Sequence, residues 1–177
     1  MLYEGVQMKN HQYAMTQLKT QGQAIRALVT GLTEEQARWK PAPETWSILE
    51  VLNHLIDEEI YDFRAHLAHI LHTPDQPWPE IDPVGWVSQR QYNEKDLHES
   101  LIRFKAEREG SLNWLAELPS PDWDAAVTDP RGTLSAGDMM TSWLAHDLLH
   151  LRQLIELRYQ ITTNTSRPYK IDYAGKW

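Results

Sequence analysis

Residues 135 to 160, SAGDMMTSWLAHDLLHLRQLIELRYQ, constrain this chain most. The stretch is predicted to form one long helix carrying His146 and His150 four residues apart. Residues of a helix are about 100° apart around its axis, so positions i and i+4 lie one turn apart on the same side. Both imidazoles can therefore address one point. Ser135 suits the N-cap, and Asp138 puts a carboxylate at the positive end of the helix. Met139, Trp143, Gln153 and Leu157 share the histidine side, which is mostly apolar and so faces an interior. Buried imidazoles need partners for their nitrogens, and a metal ion would satisfy one nitrogen on each ring. The same spacing also arises by chance, with each histidine merely hydrogen-bonded. The weight therefore rests on a third ligand elsewhere.

A chain of 177 residues suits a single domain with a real core, here expected over residues 1–177. The net charge is -8, and no Lys/Arg run stands out. Nucleic acid and anionic membrane are therefore poor partners. With no cysteine, a metal must be held by His, Asp, Glu or water. The start, MLYEGVQMKNHQYAM, has no basic segment followed by an apolar core, so no signal peptide is expected. No apolar run reaches the roughly 18 residues of a membrane span. A cytoplasmic location is expected.

Along the chain, residues 3 to 30 keep a helical rhythm through Ala14, Leu18, Gly22, Ile25 and Val29, with a polar middle. Thr33 to Gln36 forms a small capping box, and Pro41 and Pro43 then force an extended stretch. A second helix starts at Ser47, where Ser47 and Glu50 make a capping box and Trp46 and Val51 a hydrophobic staple. It should run to about His72, with Glu50, Asn53, Asp57 and Arg64 towards water. Residues 73 to 91, with four prolines, are expected to be a long connection without a helix. A third helix should run from Asn93, a possible N-cap, to Leu118, with Gly110 as a weak point. Residues 119 to 134 are another connection, and nothing alternates like strands. After Tyr159 comes a tail, over residues 161–177, whose aromatics suggest docking onto the bundle. The predicted class is all-α, a four-helix bundle with long connections. Leu144, Leu148, Leu151 and Ile155 form a second apolar side of the last helix, which the tail or a second copy of the chain could cover.

His54 is the candidate third ligand. It lies in the first half of an apolar, well-capped helix, with Glu58 one turn further along the same side. Three histidines with an open position is the pattern of catalytic zinc sites. Glu58 suits an outer acceptor or a base for a water at the metal, and equally a solvated rim residue. His66, His69 and His72 are expected at the surface near a helix C-terminus. HDLLH at 146 to 150 resembles HExxH with a shorter acid, but the customary downstream ligand is not evident. Paired Glu-x-x-His segments and a G-x-S-x-G elbow are both missing.

ETWSILEVLNHLIDEE at 44 to 59 and LAHDLLHLRQL at 144 to 154, with the helix spacing and the YAGKW ending, resemble the DinB-like (DinB/YfiT) metalloprotein superfamily. The resemblance extends over essentially the whole chain. It implies a four-helix bundle, often a homodimer, and a divalent metal, commonly zinc or nickel, on His54, His146 and His150. It also implies a small-molecule substrate. Some members are thiol-dependent transferases or isomerases, others are described as metal-dependent hydrolases, and many have no known activity. Without cysteine in the chain, a low-molecular-weight thiol would have to arrive as a cosubstrate. Tyr61 and Arg108 are the candidate substrate contacts, against a plainer reading as bundle-edge packing. The competing expectation is a non-catalytic dimeric helical module with a structural metal or none.

Overall fold

The computed structural model describes residues 11–129 and 132–177. Four long rods form the core: α1 (His11–Val29), a composite rod, α6 (Leu97–Glu117) and α7 (Ala136–Thr165). The composite rod and α6 run parallel, since Asn53, Glu59 and Arg64 meet Ser100, Arg108 and Ser111 in turn. The composite rod is α3 (Ile48–Asp57), a π-helical turn at Glu58–Phe63 and α4 (Arg64–His72). Shorter pieces are α2 (Glu34–Arg38) after the first rod, and α5 (Pro83–Gln89) and a 3-10 turn at Tyr92–Glu94 before α6. α1 packs on α6 and α7, and α3 packs on α6. The part of the first helix expected before residue 11 lies outside the described residues.

Local chemistry explains where the rods begin. Ser47 Oγ accepts from the Glu50 amide while the Glu50 carboxylate accepts from the Ser47 amide, closing the capping box. Ser135 and Asp138 do the same for α7, and Thr33 and Gln36 for α2. The third rod begins later than its sequence suggests. Asp96 is its cap, and Asn93 sits in the preceding 3-10 turn, where it accepts from Ser47 Oγ at 2.6 Å. Asn93 therefore ties two rods together instead of starting one.

Four further expectations are corrected. The 73–91 connection contains α5, whose Asp82 cap and Pro83 at its first position favour a helix. The 119–134 connection contains a two-stranded antiparallel hairpin, β1 (Ala126–Asp129) and β2 (Gly132–Ser135). Strands this short carry too little alternation to be read from sequence. α7 continues through Thr165, so the tail is shorter than expected. Its Tyr169 and Tyr173 are exposed, while Trp177 stacks on Tyr159 at 4.3 Å. Glu50, Asn53 and Asp57 are buried, because Lys40, Ser100, and Arg90 with Tyr92 cover them with polar partners.

The apolar core has two halves. Ile25, Ile48, Leu52, Ile56, Phe104 and Leu154 belong to one. Leu18, Phe63, Leu67, Leu115, Met140 and Trp143 belong to the other. Each long rod passes from one half to the other through a polar layer. Glu59, Arg108 and Asp147, all nearly inaccessible, are the ionic part of that layer. Arg108 Nε donates to both Glu59 oxygens at 3.0 Å. Its other nitrogens donate to Asp147 at 2.6 and 3.1 Å and to the Leu18 carbonyl at 2.7 Å. Gly22 gives Arg108 its room: a Cβ there would stand 3.1 Å from Arg108 Cγ. The thin middle of the first helix is thus the place where it crosses the polar layer.

The π turn serves the same layer. In a regular α-helix, consecutive residues point about 100° apart, and one of two adjacent glutamates would usually face water. The wider turn allows both Glu58 and Glu59 to be buried, and such turns recur at functional sites. Arg108→Met should lower the unfolding free energy by about 3–5 kcal/mol, because Glu59 and Asp147 would lose their shared cation. Urea unfolding measures this, and a loss below about 1 kcal/mol would contradict the assignment.

Candidate metal centre

His54 from α3 and His146 and His150 from α7 come together beside the polar layer. The Nε2 atoms of His54 and His146 are 3.4 Å apart, and those of His146 and His150 are 3.1 Å apart. One nitrogen from each ring lies within 4.8 Å of the others. Ligands about 2.0–2.1 Å from a tetrahedral zinc ion stand about 3.3–3.4 Å from one another. Two of the three edges therefore already have nearly the spacing of one face of such a site, and the His54–His150 edge lies within 4.8 Å.

Aromatic rings brace the imidazoles. Trp46 lies 4.8 Å from the His54 ring and stacks parallel to His150 at 6.4 Å. Phe63 lies 4.9 Å from the His146 ring. His150 Nδ1 donates to Gln153 Oε1 at 2.8 Å. The proton is then on Nδ1, and the Nε2 lone pair points at the other rings. His54 Nδ1 and Glu58 Oε1 are buried without a hydrogen-bond partner, 3.9 Å apart. Glu58 Oε2 is 4.0 Å from His146 Nε2. Imidazoles whose Nε2 atoms have only one another, beside orphaned polar atoms, are costly in a dry interior, and a cation among the rings would offset part of that cost.

The electrostatics favour ligation. Burial, reinforced by the neighbouring rings, pushes the His54 pKa down to about 2. Burial, then His150, pushes His146 down to about 4, and burial lowers His150 as well. All three imidazoles are therefore neutral at neutral pH, the form that binds metals. Burial, then a hydrogen bond with Asp62 and the charges of Asp62 and Asp57, pushes Glu58 up to about 9. A bound divalent ion would act on Glu58 in the opposite direction.

The other candidate residues fall in different places. Glu58 lies against the imidazoles, buried instead of rimming the surface. Tyr61 is 43% exposed, with its ring edge-on to Trp86 at 5.7 Å, one face of the rod away from the trio. Arg108 neither faces a substrate space with its head group nor snorkels outward. Its donors are directed at Glu59, Asp147 and Leu18, so the expected substrate contact is replaced by a structural one. Asp147, the acid of HDLLH, serves Arg108 and not the trio.

His66 and His69 are buried, contrary to their expected surface position. His66 has Asp62 Oδ1 2.6 Å from Nδ1 and the Pro79 carbonyl 2.9 Å from Nε2, and it stacks on Trp78 at 4.2 Å. The proline-rich connection folds back over α4 and buries them. Glu58, Asp62 and His66 form a ladder at four-residue spacing, a signal present in the sequence. Trp46 was visible as a staple residue, but its contact with two imidazoles was not.

The geometry defines a class: a four-helix bundle with a three-histidine site between its second and fourth rods. Comparison with known proteins places it further. The family model described as the DinB superfamily matches residues 17–154. The chain belongs to that superfamily. No curated protein sequence matches it. Among solved structures it is similar to one described as "YfiT from Bacillus subtilis is a probable metal-dependent hydrolase with an unusual four-helix bundle topology". The two share 14% identity at a TM-score of 0.75, covering 91% of this chain and 93% of the other. At that identity the likeness concerns the fold. No helix among the described residues is long and apolar enough to cross a membrane.

The shifted groups predict a stability profile for chelator-treated protein. The histidines hold fewer protons folded than unfolded, so stability falls as pH drops from about 6.5 through their lowered values. Glu58 holds its proton up to about 9 when folded, so stability also falls as pH rises from its unfolded value of about 4.5 towards 9. The histidines outnumber Glu58 below about pH 6.5, and Glu58 acts without them above it. Thermal unfolding across pH should peak near pH 6.5. A peak that survives unchanged in a His54→Phe, Glu58→Gln double variant would contradict this origin.

Proposed function

We propose that this protein is a metal-dependent enzyme, a hydrolase or a thiol-dependent transferase. In this reading His54, His146 and His150 hold a divalent ion, zinc or nickel. The observation that carries it is the convergence of three Nε2 atoms with one side still accessible. His146 and His150 are only half-buried, and the group able to hold an ion has three members among the described residues. That leaves room for a non-protein ligand, as in catalytic and unlike closed structural sites. The non-catalytic alternative requires a closed site.

A divalent ion in such a site supplies Lewis acidity and lowers the pKa of a bound water or thiol. The remaining work falls to the chain. Glu58, whose protonated carboxyl donates to the Asp62 carboxylate, would act as base only once the neighbouring divalent charge had ionised it, and would then accept the proton of the attacking water or thiol. Gln153 fixes the His150 tautomer. A thiol nucleophile would be a low-molecular-weight cosubstrate, since the chain has no cysteine.

The substrate would enter a cavity of about 730 Å³ that meets this network at Asp62 and His66 and is not itself lined by the three imidazoles or Glu58. Trp78, Ile81, Leu134 and Met139 give it apolar walls, and Asp62 is shared with Glu58. Trp78 and Ile81 come from the proline-rich connection, which thus covers the substrate side. The description of YfiT as a probable metal-dependent hydrolase agrees with this reading. Leu148 and Ile155, 55% and 42% exposed on α7, suit a homodimer contact.

Elemental analysis of protein purified without a histidine tag, with turnover on ester and thiol-conjugation panels, tests the proposal. His146→Ala should lose metal and turnover together. Glu58→Gln should keep its metal and lose activity by about a hundredfold to ten-thousandfold. Full occupancy in His146→Ala, or unchanged turnover in Glu58→Gln, would overturn it.

A further inference from the structure

A second cavity, of about 450 Å³, lies one face round the composite rod from the imidazoles. Asn53 and Asp57 line it from the rod, and Arg90, Gln91, Lys95 and Arg103 from the segment before α6 and from α6 itself. Three cations and a single carboxylate make its lining net positive, in a chain whose net charge is -8. We propose that this cavity binds a small dianion, a phosphate or a dicarboxylate, at a site separate from the metal centre.

The cations are arranged, not merely gathered. Asp57, 3% exposed, accepts from Arg90 NH1 at 2.6 Å and from the Tyr92 hydroxyl. The Arg90 guanidinium lies over the Trp86 ring at 4.1 Å and the Tyr61 ring at 4.8 Å. Pinned on one edge and braced on its faces, it is a planar fork whose Nε and NH2 have no protein acceptor among the described residues. That geometry suits a carboxylate or phosphate. Arg103 NH2 stands 3.7 Å from Asp57 Oδ1, too long for a hydrogen bond, and its side chain is 49% exposed. The Lys95 ammonium has no acidic partner among the described residues. Asp57 therefore positions Arg90 and pairs only loosely with Arg103, and one carboxylate cannot balance the three cations of the lining.

The backbone adds an independent sign. Gln91 is left-handed, with φ 51° and ψ 51°, between Arg90 and the buried Tyr92. A glutamine in that region is strained, and such strain persists where surrounding structure demands it. Here it turns the chain sharply between two residues that both reach Asp57. Tyr61 thus gains a role on this second site, bracing Arg90, instead of at the metal.

Calorimetric titration near neutral pH with inorganic phosphate, and separately with succinate, tests the proposal, with chloride at matched ionic strength as control. Saturable binding of one of them is expected, in metal-loaded protein, in chelator-treated protein and in His146→Ala alike. Saturation by phosphate alone assigns the tetrahedral dianion, and saturation by succinate alone assigns the dicarboxylate. Lys95→Ala and Arg103→Ala, both at exposed side chains, should each weaken binding several-fold, and together by about tenfold or more. Nitrogen–proton NMR should show the Arg90 Nε–H signal moving on saturation. The proposal is overturned by no saturation into the millimolar range, or by binding unchanged in the double variant. Binding lost in His146→Ala would place the anion at the imidazoles and overturn it as well.

Discussion

Everything at the centre of this protein depends on burying three neutral imidazoles with their Nε2 atoms turned towards one another. Such an arrangement leaves polar atoms under-satisfied. At 3.1 to 3.4 Å the Nε2 atoms have only one another as partners, with the donor set by the tautomer, and His54 Nδ1 has none. The surrounding structure maintains the arrangement through the Trp46 and Phe63 rings, the Gln153 acceptor and two capped helices. A site preorganised against its own electrostatics is suited to a cation, and binding that cation returns the cost.

The ionic layer explains how the rods hold this geometry. Arg108 joins Glu59 of the π turn to Asp147, which immediately follows His146. The same guanidinium reaches the α1 backbone at Leu18. The two segments that carry the ligands are therefore tied by one buried cation next to the imidazoles. Apolar packing in the two core halves supplies bulk stability, while the charge network fixes register at the level where register matters. This division fits the general finding that buried ion pairs contribute little net stability but are costly to break.

Much of this was legible in the residues. The four-residue histidine spacing, the capping boxes at Ser47 and Ser135 and the position of His54 follow from helical geometry, and each depends on neighbours within one or two turns. What escaped reading depends on contacts distant in sequence. Asn53 and Asp57 looked solvent-facing because nothing local announces that Ser100, Arg90 and Tyr92 will cover them. Arg108 looked like a substrate contact because an arginine on an apolar stripe has no local partner, and Glu59 and Asp147 lie about forty or more residues away. His66 looked exposed because the connection that buries it returns only through Trp78 and Pro79. The hairpin at 126–135 was too short to leave a periodic trace.

X-ray absorption of the zinc- or nickel-loaded protein examines the central interaction most directly. Three imidazole nitrogens at about 2.0–2.1 Å, with an oxygen ligand that a small added thiol replaces with sulfur, is the predicted spectrum. Fewer than three imidazoles, or a shell completed by protein and indifferent to the thiol, would contradict an open three-histidine centre.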